Sequence, residues 1–133
     1  MLDKGPIPAK LHGLIEYVAG VLFVAAPFLL GFDEGGAVAS SIIVGVVILA
    51  VAAGSEGPTG LIDQVPIAMH VTLDYLLAAL LIAAPFLFRF SDEGTPTAWF
   101  IAFGIVHLLV TIGTCFLGAA QPARAAAADE PAR

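Results

Sequence analysis

Apolar residues run along this chain in four long blocks separated by short polar joints. The blocks extend from about Leu11 to Gly31, Ala37 to Gly54, Ile67 to Phe90 and Thr97 to Leu117. Each is long enough for a helix to cross a hydrocarbon layer of about 30 Å, which takes about 20 residues. The joints, Asp33 to Gly36, Ser55 to Pro66 and Ser91 to Pro96, are rich in the Gly, Pro and acidic residues that stop helices. A closed barrel also satisfies every backbone group in lipid, but its strands alternate apolar and polar residues over about ten positions. Ser41 to Ala53 shows no such alternation. The pattern therefore predicts an all-α integral membrane protein with four transmembrane helices.

The second half of this pattern repeats the first. A shift of 58 residues lays Pro8-Ala-Lys-Leu-His12-Gly-Leu-Ile-Glu16-Tyr17 over Pro66-Ile-Ala-Met-His70-Val-Thr-Leu-Asp74-Tyr75, and Ala25-Ala26-Pro27-Phe28-Leu29 over Ala83-Ala84-Pro85-Phe86-Leu87. Apolar bias alone would scatter Leu and Ala matches; it would not align Pro, His, acid and Tyr together. Repeat 1 spans about 8–54 and repeat 2 about 66–112, within a single transmembrane domain over 1–120 followed by a mobile Ala/Pro-rich tail at 121–133. Each copy holds two spans, so the tandem repeats are parallel and a pseudo-twofold axis along the membrane normal is expected. The recurrence also argues against reading the first span as a cleaved signal peptide, because the same segment returns inside the mature chain.

The motif set resembles the SPW-repeat family of small bacterial and archaeal membrane proteins. The shared features are a helix entering with His and an acid, a small-Pro-aromatic cluster followed by Leu, a short polar turn, and a Gly-containing second helix. Ala26-Pro27-Phe28 and Ala84-Pro85-Phe86 stand where that family carries Ser-Pro-Trp. The resemblance covers about Pro6 to Thr114 and implies a two-span repeat, with no established reaction.

Composition sharpens the class. The chain is 59% hydrophobic and 12% charged, against about 25% charged in soluble domains. A net charge of -6 leaves no basic face for nucleic acid. The single cysteine, Cys115, has no disulfide partner within the chain. Lys4, Lys10, Arg124 and Arg133 fall on the side shared by both termini and the Ser55 to Pro66 joint, whereas Arg89 alone is on the other. The Lys/Arg bias thus predicts a multi-pass protein of the cell membrane with both termini cytoplasmic.

Few residues offer chemistry. His12 with Glu16, and His70 with Asp74, are spaced i to i+4 and share a helix face. Two imidazoles and two carboxylates at one depth could hold a metal ion, relay a proton or ligate a haem. The competing reading places them at helix entrances, reaching toward headgroups and the helix dipole. His107 lies near the middle of the predicted fourth span, on a small or polar stripe with Gly104, Thr111 and Thr114 that suits packing and hydrogen bonding across a helix contact. Ten residues of rise would set it about 15 Å in depth from His12 and His70. Pro27 and Pro85 are expected well inside their helices as matched bends, with Phe28 and Phe86 filling the gap.

The expectation is a small non-enzymatic membrane protein embedded in the lipid bilayer, with no cofactor, acting as a self-associating homo-oligomer or an accessory subunit of a larger membrane complex. The alternatives are a haem- or metal-binding protein that uses the His/acid pairs, or a proton or ion pathway.

Overall fold

The computed structural model describes residues 4–117. The predicted tail at 121–133 lies outside the described residues. In chain order the elements are β1 (Ile7–Pro8), α1 (Ala9–Leu30), α2 (Gly35–Gly54), α3 (Ile67–Leu87), α4 (Gly94–Ile112) and β2 (Thr114–Cys115). All four helices are long and apolar enough to cross a membrane. The molecule is an all-α, four-span protein, since a helix satisfies its own backbone groups where lipid cannot.

The ends of the spans differ from the sequence expectation for identifiable reasons. Helix α3 stops at Leu87 rather than Phe90 because Arg89 takes a left-handed conformation (φ 60°) and the Phe90 N–H turns back to donate to the Pro85 carbonyl at 2.9 Å. Helix α1 ends the same way one repeat earlier: Gly31 has φ 65°, and the Phe32 N–H donates to the Pro27 carbonyl at 3.0 Å. Helix α4 starts ahead of Thr97, since Pro96 falls in the first turn, where no backbone N–H is needed. It stops at Ile112, short of Leu117, and the chain then extends as β2 to pair in parallel with β1, Ile7 against Thr114.

Packing is closest within each repeat, α1 on α2 and α3 on α4. Helices α1 and α2 touch at glycines: a Cβ on Gly45 would lie 2.6 Å from the Gly20 carbonyl oxygen and 2.8 Å from the Val24 nitrogen. Small residues permit this approach, and within a bilayer van der Waals packing is the main force joining helices. Phe23, Ala26, Leu81, Ala84, Phe90 and Phe100 form an apolar cluster.

Pro27 and Pro85 sit in the last turns of α1 and α3, not well inside them. Pro27 leaves the Phe23 carbonyl without its helical donor, and Ser41 of α2 supplies one at 2.6 Å. The expected filling role of the next residues is corrected: Phe28 is 74% and Phe86 63% exposed. Because the αL caps end the helices so soon after the prolines, these rings point away from the bundle. Phe23, in edge contact with Trp99, Phe100 and Phe103 at 5.6, 5.3 and 5.1 Å, supplies the aromatic filling.

Candidate functional site

The histidines and carboxylates of the spans converge at the end of the bundle that carries β1 and the Ser55 to Pro66 joint. His12 and Glu16 come from the first two turns of α1, His70 and Asp74 from the first two turns of α3, and His107 from the last two turns of α4. All of the first four are buried, with His12 and Asp74 only 1% exposed. They point inward rather than to headgroups.

The contacts cross between repeats. His12 Nε2 is 3.7 Å from Glu16 Oε1 on its own helix and 3.2 Å from Asp74 Oδ2 on α3. His70 Nε2 is 3.4 Å from Asp74 Oδ2 on its own helix and 3.5 Å from Glu16 Oε2 on α1. The two imidazoles meet edge to face with ring centroids 5.7 Å apart. Phe116, also buried, closes over them at 4.9 Å from His12 and 6.0 Å from His70.

The other ring nitrogens settle the tautomers. Ser55 donates its single hydroxyl hydrogen to the Val51 carbonyl at 2.6 Å, and lies 2.8 Å from His70 Nδ1. With that hydrogen committed, the hydroxyl oxygen can only accept, so His70 Nδ1 carries a proton. Thr114 repeats the device, donating to the Val110 carbonyl at 2.6 Å and lying 2.9 Å from His12 Nδ1. Both imidazoles are thereby held as Nδ1–H donors, with Nε2 turned to the carboxylates.

His107 was expected about 15 Å away in depth; the structure corrects this. Its ring centroid is 6.3 Å from that of His12, and its Nε2 is 3.7 Å from Asp74 Oδ1. Because α4 ends at Ile112, His107 is near the helix end and level with Asp74. Of its stripe, Gly104 packs against Ile82 and Leu81 of α3. Thr111, in contrast, bonds back to the His107 carbonyl of its own helix. Ser55 and Phe116 were not among the sequence candidates. Ser55 had a detectable signal, since it and Thr114 each follow the second helix of a repeat once a one-residue gap is allowed. Tyr17 donates to the Thr59 carbonyl at 3.0 Å and ties the joint over the first span.

Two cavities reach the centre. One of about 20 Å³ lies under the joint and is lined by His12, Glu16, His70, Ser55, Glu56 and Phe116 among others. A second, of about 180 Å³, lies between α2 and α3 and is apolar apart from Glu16 and Asp74.

Four apolar spans closed over a buried His–carboxylate cluster define a multi-pass membrane protein with an intramembrane polar centre. The model of the SPW repeat domain matches residues 10–114, and the chain belongs to that family. No curated protein and no solved structure matches it.

Proposed function

We propose that the chain is a non-enzymatic membrane module, a self-associating building block or an accessory subunit of a larger membrane complex, with both termini in the cytoplasm. The observation that carries this reading is that the polar side chains of the centre are buried and spent on one another. An enzyme must present its reactive groups to a substrate, whereas His12, Glu16, His70 and Asp74 are each less than 5% exposed and contact one another across the repeats. The outer surface supports the same reading. The most apolar 18-residue stretch of each span buries 33% or less of its residues inside the chain, which leaves a broad outer surface for lipid or other membrane helices.

The haem and ion-pathway alternatives are less well supported. The two imidazoles pack on each other and on Phe116, and the cavity beside them is about 20 Å³, which leaves no flat space for a tetrapyrrole ring. The histidines and carboxylates occupy one end of the bundle, and the Phe23, Leu81 and Phe100 cluster is apolar.

The test is proximity in the native membrane. Single cysteines at outward positions Ile43, Val46, Ile105 and Leu109, in a Cys115→Ser background, are oxidised or cross-linked in place. One helix face should join to a second subunit while the others do not. Absence of any cross-link at all four positions, together with single-step photobleaching of the labelled protein, would overturn the module reading.

A further inference from the structure

We propose that His12, Glu16, His70 and Asp74 form an intramembrane site for one divalent transition-metal ion of the Zn²⁺ type. This goes beyond the packing role above and does not depend on it.

The argument starts from hydrogen-bond bookkeeping. Ser55 and Thr114 fix both imidazoles with Nδ1–H, so each neutral ring turns a lone pair on Nε2 toward carboxylate oxygens that are also acceptors. Four acceptors then face one another with no hydrogen between them. His12 Nε2 and Asp74 Oδ2 accordingly have no hydrogen-bond partner, although both residues are 1% exposed. A buried arrangement of this kind requires a cation at its centre.

Two extra protons would supply the charge, but imidazolium–carboxylate hydrogen bonds close to about 2.7–2.9 Å. The separations here are 3.2, 3.4, 3.5 and 3.7 Å. The two approaches to Asp74 Oδ2, 3.2 and 3.4 Å, suit the edges of a coordination tetrahedron instead, since Zn–N and Zn–O bonds near 2.0–2.2 Å put neighbouring ligand atoms about 3.3–3.5 Å apart. Glu16 meets the two rings with different oxygens, and one ligand atom from each residue lies within 4.8 Å of the others, so the Glu16 side of the site closes inward when an ion is bound. Two neutral imidazoles, two carboxylates and one divalent ion sum to zero charge, which suits burial in the bilayer. Imidazole with carboxylate selects transition metals over Ca²⁺ and Mg²⁺, which take all-oxygen shells.

The surroundings are built to match. Ser55 and Thr114 are the outer partners that orient ligating histidines. The 20 Å³ cavity at His12, Glu16 and His70 has room for about one water-sized species, and Glu56 lines it on the side of the joint. His107 Nε2 lies 3.7 Å from Asp74 Oδ1, too far for a hydrogen bond, and is a third imidazole beside the second oxygen of Asp74.

The experiment uses the full chain, untagged, in detergent micelles, stripped with a chelator and titrated with Zn²⁺ and with Co²⁺. Elemental analysis should find one Zn²⁺ per chain, Co²⁺ should show the intense visible absorption of a tetrahedral site, and excess Mg²⁺ or Ca²⁺ should displace neither. Glu16→Gln and Asp74→Asn keep side-chain shape and should abolish stoichiometric binding. Ser55→Ala and Thr114→Ala leave all four ligands in place and should weaken binding about 10- to 100-fold. If the ligand variants do not fold, Ser55→Ala decides the matter: unchanged Zn²⁺ affinity overturns the proposal. It is equally overturned by a parent protein that takes up no stoichiometric ion, or by folded Asp74→Asn that binds as tightly as the parent.

Discussion

Removing two partners of the buried centre together should cost less than the sum of removing each alone. Asp74→Leu withdraws the carboxylate that His12 Nε2 approaches at 3.2 Å, His70 Nε2 at 3.4 Å and His107 Nε2 at 3.7 Å. His70→Leu leaves Glu16 and Asp74 to share His12. With the ion removed by chelator, protons on the Nε2 atoms must take its place, so each single change strands a buried charge, and breaking a buried pair in this way costs about 3–5 kcal/mol. The double variant, His70→Leu with Asp74→Leu, removes one base and one acid together and keeps the His12–Glu16 pair at 3.7 Å. Its cost should fall below the sum of the singles by about 2–3 kcal/mol, the coupling expected of contacting groups in one network. Unfolding is followed by helical circular dichroism in mixed micelles with rising SDS and a chelator present, with exposed Lys4→Ala as a control expected within about 0.5 kcal/mol of the parent. Single costs that add to within about 0.5 kcal/mol would refute a coupled centre.

Three further outcomes follow from the fold. Gly45→Val should destabilise by at least about 1–3 kcal/mol, because its added atoms meet the backbone of Gly20 and Val24, while Gly35→Ala, with nothing within 4 Å, should be near neutral in the same assay. Gly31→Ala should cost about 1 kcal/mol from its φ of 65° alone, whereas Arg89→Gly at φ 60° should be neutral to about 1 kcal/mol stabilising in thermal melts. A cysteine at the exposed Leu61 should resist a membrane-impermeant thiol reagent added outside intact cells and one at Glu34 should react; the reverse would overturn cytoplasmic termini.

The four spans were legible because lipid imposes one simple demand, an unbroken apolar run, and the chain meets it four times. The His12/Glu16 and His70/Asp74 pairs were legible because the repeat aligned them with their prolines and tyrosines. What the sequence hid was where each helix stops. Arg89 in a left-handed turn carries no propensity signal, and only the likeness to Gly31 one repeat earlier marks it. Placing the end of α4 beyond Ile112 moved His107 to mid-membrane and concealed its approach to Asp74. Ser55 escaped notice for a related reason: read as part of a polar joint, it looked solvated, whereas the parallel Ser55–Val65 bridge draws it beneath His70. Phe28 and Phe86 carry a misleading signal, because a ring beside a proline suggests core filling while the caps turn both outward.

The two halves are stitched crosswise, and one residue breaks the match between them. His12 of the first repeat rests on Thr114 beyond the second, His70 of the second rests on Ser55 at the end of the first, and Ile7 and Val65, equivalent in the repeat, make the corresponding backbone bridges. A lone two-span unit would thus lack the partner hydroxyl and half of the polar cluster. Against this symmetry stands His107, whose repeat counterpart is Leu49. It gives Asp74 three imidazole neighbours, at 3.2, 3.4 and 3.7 Å, where Glu16 has two, at 3.5 and 3.7 Å. The carboxylates should therefore be unequal in worth: Asp74→Asn should destabilise more than Glu16→Gln by up to about 1 kcal/mol, the ceiling being a full hydrogen bond, which the 3.7 Å approach does not reach. Replacing His107 with Leu, its counterpart residue, should largely remove that difference while leaving the helices formed. Unfolding of the four variants in mixed micelles measures both quantities. An Asp74→Asn cost no greater than that of Glu16→Gln, or a difference unchanged by His107→Leu, would show that His107 only packs beside the centre and takes no part in holding Asp74.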